Sequence, residues 1–215
     1  MHDADKHTIL AIDDHPLFRK GVADLIAMDD SLVLVGEAAN GQDGLARAKA
    51  LNPELILLDI NMKGMSGLET LKAIKQADVD SLILMLTVSD SEEDVLTALR
   101  IGADGYLLKD MEPEDILDSI RRALQGTMVI SDNLTQLLAK ALREEEGLNA
   151  DRAAAALTSR EQEILEHISN GMSNKRIAQA LNITEGTVKV HVKHLLKKLN
   201  LHSRTEAAVW ALRRL

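Results

Sequence analysis

Five times between residues 8 and 125, an apolar β-prone run is followed by a stretch with helical spacing. Strands are expected at about 8–13, 32–38, 55–58, 82–87 and 105–108, and helices at about 16–28, 41–51, 67–76, 91–101 and 113–125. Runs such as Leu55-Ile56-Leu57-Leu58 are continuously apolar, as strands are when helices cover both faces of their sheet. Regular alternation of strand and helix implies parallel pairing through right-handed crossovers. The expected fold is therefore an α/β doubly wound, parallel five-stranded sheet. Turn signals fall between the elements: Asn52-Pro53, Gly64, Gly67, Gly102, and Pro113 at a helix start.

After Gly126 the rhythm stops. One further amphipathic helix is expected at about 131–143, then a linker running through Glu144-Glu145-Glu146-Gly147 and an alanine tract to residue 157. From Thr158 the pattern is all helix, with capping-box spacings at Thr158-x-x-Glu161 and Ser203-x-x-Glu206. Gly171 is placed to end a helix, and Ser173 and Thr184 to start the next two. The short step Asn182-Ile183-Thr184 has helix-turn-helix length. The domains are drawn at 7–126, 127–157 as a linker with one helix, and 158–215.

Net charge is −9, which by itself argues against nucleic acid, but the average is misleading. Residues 158–215 carry ten Lys and Arg against five Asp and Glu, so this segment is +5 and the rest of the chain −14. Opposed halves suggest two domains with different partners. The absence of cysteine excludes disulfides and thiolate metal sites. The polar N-terminus is unlike a secretory signal, and apolar runs of about five residues fall far short of the ~20 of a membrane helix. A soluble, cytoplasmic protein with no membrane partner is expected.

Polar residues close four of the apolar strands: Asp13-Asp14, Asp59, Thr87 and Lys109. Taken singly, such a residue is as readily a helix cap or turn residue. In an open parallel sheet, however, ligands bind outside the carboxyl ends of the strands, so these side chains should converge. Three carboxylates, a hydroxyl and an ammonium suit a divalent cation and a phosphoryl group. Asp14 and Asp59 are the expected Mg²⁺ ligands, with Asp13 nearby and the Asn61 backbone carbonyl as a further candidate. Asp59, at the end of the expected central strand, is the candidate nucleophile for an aspartyl-phosphate. Lys109 would neutralise phosphoryl oxygens and Thr87 would donate to one. His15 is read as a residue at the start of the first helix, not a metal ligand, because hard cations prefer oxygen.

On the expected helix from Glu185 to Leu199, Val188, Val192, Leu195 and Leu199 recur at core spacing. Lys189, Lys193 and Lys197 lie every fourth residue on a neighbouring face, with Val190 beside them. Alone this is a solvated lysine face. As the second helix of a helix-turn-helix it would enter the DNA major groove, where lysines reach bases or phosphates and a valine reaches a thymine methyl.

Asp13-Asp14, Asp59, Thr87 and Lys109 together resemble the receiver (phosphoacceptor) domain of bacterial two-component response regulators. The resemblance implies a flavodoxin-like fold, a sensor histidine kinase as phosphoryl donor to Asp59, and Thr87 and Tyr106 as switch residues. Two departures stand out: Asp110 and Lys63 occupy positions where many relatives have proline. The stretches Leu157-Thr158-Ser159-Arg160-Glu161, Asn174-Lys175-Arg176-Ile177-Ala178 and Thr187 to Lys193 resemble the NarL-type DNA-binding domain. That likeness implies Lys189, Val190 and Lys193 near DNA bases. It also implies a homodimer through the last helix, with Glu206, Val209 and Trp210 as candidates, although a lone tryptophan is more readily core. Residues 61–68 and 105–115 look like the nitrate/nitrite regulators of this type. The expected function is a phosphorylation-controlled transcription regulator in which the acidic portion covers Lys189 and Lys193 until Asp59 is phosphorylated. Two rivals are weighed. A phosphohydrolase would want an acid two residues after Asp59, where Asn61 stands. A kinase-binding adaptor would use its helical tail to grip protein in place of DNA.

Overall fold

A computed structural model describes residues 6–77, 79–88, 92–125, 127, 129, 157–201 and 203–212. Strands β1 (His7–Ile12), β2 (Leu32–Ala38), β3 (Leu55–Asp59), β4 (Leu82–Thr87) and β5 (Gly105–Leu108) alternate with helices α1 (Pro16–Ala27), α2 (Gly41–Leu51), α3 (Gly67–Gln76), α4 (Glu92–Ile101) and α5 (Pro113–Leu124). The sheet is parallel, with order β2-β1-β3-β4-β5. The expected α/β doubly wound architecture is therefore present, with β3 at the centre. The helix expected at 131–143 and the linker at 144–156 lie outside the described residues.

The strands sort their side chains by parity. Leu10, Ile12, Ile56, Leu58, Ile83, Met85 and Tyr106 pack with residues of α2, α3 and α4. Ile9, Ala11, Leu55, Leu57, Leu84, Leu86 and Leu107 pack with residues of α1 and α5. Every residue of β3 is buried. At about 1.5–3 kcal/mol per fully buried aliphatic side chain, this strand anchors both layers.

Local chemistry sets the helix limits. Pro16 and Pro113 open α1 and α5, where a missing N–H costs nothing. Ser66 and Glu69 form a reciprocal capping box on α3. Beyond the sheet lie α6 (Ser159–Ser169), α7 (Asn174–Leu181), α8 (Glu185–Leu199) and α9 (Arg204–Leu212). Thr158 and Glu161 cap α6 reciprocally, while Ser173 and Thr184 accept from the third backbone N–H of α7 and α8. Ile164, Ile168, Ile177, Val188, Leu195 and Trp210 form the core of this second unit.

The second unit packs on the amino ends of β4 and β5. Thr205 Oγ1 donates to the Ala103 carbonyl at 2.9 Å, a buried bond. Val209 of α9 joins the cluster beneath α3 and α4, and Lys189 of α8 pairs with Asp80. Arg204 lines a cavity of about 50 Å³ at this junction together with Asp104, Thr205 and Ala208. Burial lowers Arg204 to about 10 while the charge of Asp104 opposes the shift, so the guanidinium stays charged at neutral pH.

Candidate functional site

Strand register brings the acidic residues together. Ile12 pairs with Leu58, so the next residues of β1 and β3 are Asp13 and Asp59. Thr87 pairs with Leu108, and Lys109 follows, its N–H donating to the Thr87 carbonyl at 2.7 Å. All four stand at the carboxyl edge, where β1 and β3 neighbour each other although their crossovers run to opposite sides, the usual ligand crevice of such sheets. Asp13, Asp59 and Lys109 share parity with the α1–α5 face, whereas Thr87 and Tyr106 share parity with the α2–α4 face.

Lys109 Nζ lies 2.7 Å from Asp13 Oδ2 and 2.9 Å from Asp59 Oδ2. Both carboxylates are buried. Asp14 is half-buried, and its Oδ2 accepts from the Lys63 N–H at 3.0 Å. Carboxylate oxygens of Asp13, Asp14 and Asp59 lie within 4.8 Å of one another. Three carboxylates facing one ammonium leave a formal charge of −2, and a divalent cation would cancel it. The donor set is all hard oxygen, which suits Mg²⁺. Burial pushes the Asp59 carboxyl above its ordinary range, Asp13 adds to this, and Lys109 opposes it.

Asp13 is not a helix cap. His15 occupies the cap position of α1, and Asp13 Oδ1 accepts its N–H at 2.8 Å, which leaves Oδ2 for Lys109. Thr87 is buried at the end of β4, and Tyr106 is buried on the same sheet face, paired with Met85, two residues before Thr87. No cis peptide occurs among the described residues, so the chain passes Lys109-Asp110 in trans. Sequence reasoning missed Arg19, whose Nη1 donates to the Asp13 carbonyl at 2.5 Å. Its position one helical turn after His15 was the available signal.

On α8, Val190, Lys193 and Lys197 are exposed. Lys189 is partly covered and bonded to Asp80, an acceptor that no motif or spacing marks out. Lys193 faces solvent, whereas Arg176 of α7 also reaches the first unit, its Nη1 donating to the Gln125 carbonyl at 3.2 Å. Glu206, Val209 and Trp210, expected at a dimer contact, are all buried within the chain. Val209 is taken up by the sheet unit and Trp210 by the helical core. In this arrangement they cannot meet a second copy.

Residues 9–121 match the family described as response regulator receiver domain, and residues 155–211 match bacterial regulatory proteins of the luxR family. Over 210 residues the chain is 53% identical to the nitrate/nitrite response regulator protein NarL of Escherichia coli, spanning 98% of this chain and 97% of that protein. The chain belongs to the two-component response regulators of the NarL type. This response regulator is also 44% identical to the nitrate/nitrite response regulator protein NarP of Escherichia coli, over 97% of this chain and 96% of that one. Among solved structures, the response regulator ChrA of a heme-sensing two-component system aligns over 98% of both chains, with a TM-score of 0.52 and 31% identity. No helix among the described residues is long and apolar enough to cross a membrane.

Proposed function

We propose that this response regulator accepts a phosphoryl group on Asp59 from a sensor histidine kinase. An Asp59 carboxylate oxygen forms the new bond to phosphorus as the phosphorus–nitrogen bond of the donor breaks; the electron pair of that bond leaves on the imidazole nitrogen, which takes up a proton from water. Asp14, Asp59 and the Asn61 carbonyl would hold Mg²⁺, which when bound supplies charge neutralisation at the phosphoryl oxygens. Lys109 moves from carboxylate partner to phosphoryl partner, and Thr87 donates a hydrogen bond to a phosphoryl oxygen. Tyr106, behind Thr87, carries the change inward. The observation that supports this reading best is the Lys109 ammonium held 2.7 and 2.9 Å from two buried carboxylates at the crevice.

The output is DNA binding. The chain divides at 7–126 and 158–215, with a linker between. In the resting state the first domain engages Lys189 and buries Val209. Phosphorylation releases the second domain, whose Lys189, Val190, Lys193 and Lys197 then read a major groove. Its α9 is freed to pair with a second copy. Likeness to NarL and NarP supports nitrate or nitrite as the distant signal.

Labelling with acetyl phosphate and Mg²⁺ tests this, followed by intact-mass measurement, sizing and gel shift. Wild type should gain one phosphoryl group, stable to acid and labile to base, then dimerise and bind DNA. Asp59→Asn should do none of these. Lys189→Ala with Lys193→Ala should label normally yet lose DNA binding. Labelling of Asp59→Asn at the wild-type rate would displace the assignment.

A further inference from the structure

The ammonium of Lys109 has three N–H donors, and two of its sides face Asp13 and Asp59. Another side faces an aromatic ring: Phe18 lies with its centroid 4.8 Å from Lys109 Nζ. The parity of the sheet explains why. Lys109 points toward the α1–α5 layer, and Phe18, half-buried on α1, packs with that layer's cluster. Such a ring attracts a cation through its negative face and shields it from water. The Lys109 side chain is only 11% exposed. A lysine ammonium is otherwise a mobile, strongly hydrated charge on a flexible stem.

We propose that Phe18 is a positioning residue for phosphoryl transfer: its ring face pins the Lys109 ammonium between Asp13 and Asp59, where the phosphoryl oxygens arrive. This rests on Asp59 being the phosphoacceptor. Phe18 touches no reacting atom; it acts by narrowing the positions open to Lys109. Two other roles compete, simple packing and contact with the kinase through α1, where Leu17 is 77% exposed.

The composition offers a direct test, because Phe18 is the only phenylalanine in the chain. Replacing phenylalanine throughout by its 4-fluoro and 3,4,5-trifluoro analogues therefore alters this ring alone, draining its negative face with little change in size. Using acetyl phosphate as donor removes any kinase contact. The rate of phosphoryl uptake should fall stepwise with fluorine content, reaching about three- to tenfold. Phe18→Leu should match the slowest analogue and Phe18→Tyr should recover most of the loss. In the unphosphorylated protein, the ε-methylene protons of Lys109 should be shifted upfield by the ring, and Phe18→Leu should abolish the shift. A flat fluorine series overturns the proposal in favour of packing, as does unshifted Lys109. Failure of unsubstituted protein to label at all defeats the phosphoacceptor reading instead, and this inference falls with it.

Discussion

Asp59 and Glu161 are both buried carboxylates, yet their environments push them in opposite directions. Asp59 is raised, chiefly by burial, so the folded protein holds its proton more tightly than the unfolded chain. Its contribution to stability therefore falls as pH rises from 3.8 through the raised folded value. Asp59→Asn should then be more stable than wild type at neutral pH, the gap closing on acidification, as read from urea midpoints. Removing the cation has the reverse effect. Lys109→Met leaves buried Asp13 and Asp59 facing each other and should cost about 3–5 kcal/mol, partly recovered by added Mg²⁺. Burial would raise Glu161 too, but Lys198 Nζ at 2.7 Å and the Thr158 N–H and hydroxyl outweigh it and lower Glu161 to about 2. That stability is present above pH 4.5 and lost as pH falls through about 2. Trp210, the chain's one tryptophan, sits in the same helical core, so its fluorescence should report this acid transition, and Glu161→Gln should flatten it.

At the scale of elements, the pocket depends on how closely α3 approaches the end of β3. A Cβ at Gly67 would stand 2.0 Å from the Asp59 carbonyl oxygen and 2.6 Å from Ile60 Cα, both backbone atoms. Gly67→Ala must therefore displace the strand end that carries Asp59. It should lower both thermal stability and phosphoryl uptake. Gly64, at φ 80° with open space around it, makes the control: Gly64→Ala is strained by about 1–2 kcal/mol but leaves the pocket in place. A similar requirement ends α2, α7 and α8, where Asn52, Asn182 and Asn200 take left-handed conformations at φ 43°, 51° and 55°. Asparagine tolerates this region and β-branched residues do not. Asn182→Val should cost about 1–2 kcal/mol and disturb the helix-turn-helix step, while Asn182→Gly should be nearly silent, both read through Trp210.

For the whole molecule, the question is what holds the two units together. Opposite net charges suggest attraction that salt would weaken. The ion pair from α8 to the first unit, Lys189–Asp80, has side chains 41% and 59% exposed. Exposed pairs contribute about 0–1 kcal/mol and are screened within roughly 8 Å at physiological salt. Thr205 and Val209 are buried at the same junction. Stranding the Ala103 carbonyl by Thr205→Val costs about 1–3 kcal/mol, more than the surface pair contributes. The closed form is thus held mainly by α9 and only trimmed by charge. In small-angle scattering of unphosphorylated protein, high salt or Asp80→Ala should change the radius of gyration little. Thr205→Val combined with Val209→Ser should expand it and raise unphosphorylated DNA binding. Equal expansion with salt alone would restore the electrostatic account.

Periodicity alone determined the layered fold here, because buried parallel strands are unbroken apolar runs and their helices carry amphipathic spacing and explicit caps. It determined the pocket too: a polar residue ending such a run has no place but the sheet's carboxyl edge, so Asp13, Asp59, Thr87 and Lys109 converge whatever the loops do. Pairings between residues distant in sequence were not legible. Nothing local joins Phe18 to Lys109, Asp80 to Lys189 or Ala103 to Thr205; each contact follows from strand parity or from how two separately folded units meet. For the same reason the likeness to the family put Val209 at a contact between copies, whereas packing within the chain sets it in the cluster beneath α3 and α4. Local spacing encodes which face of an element is apolar, and only tertiary packing decides which apolar face it meets.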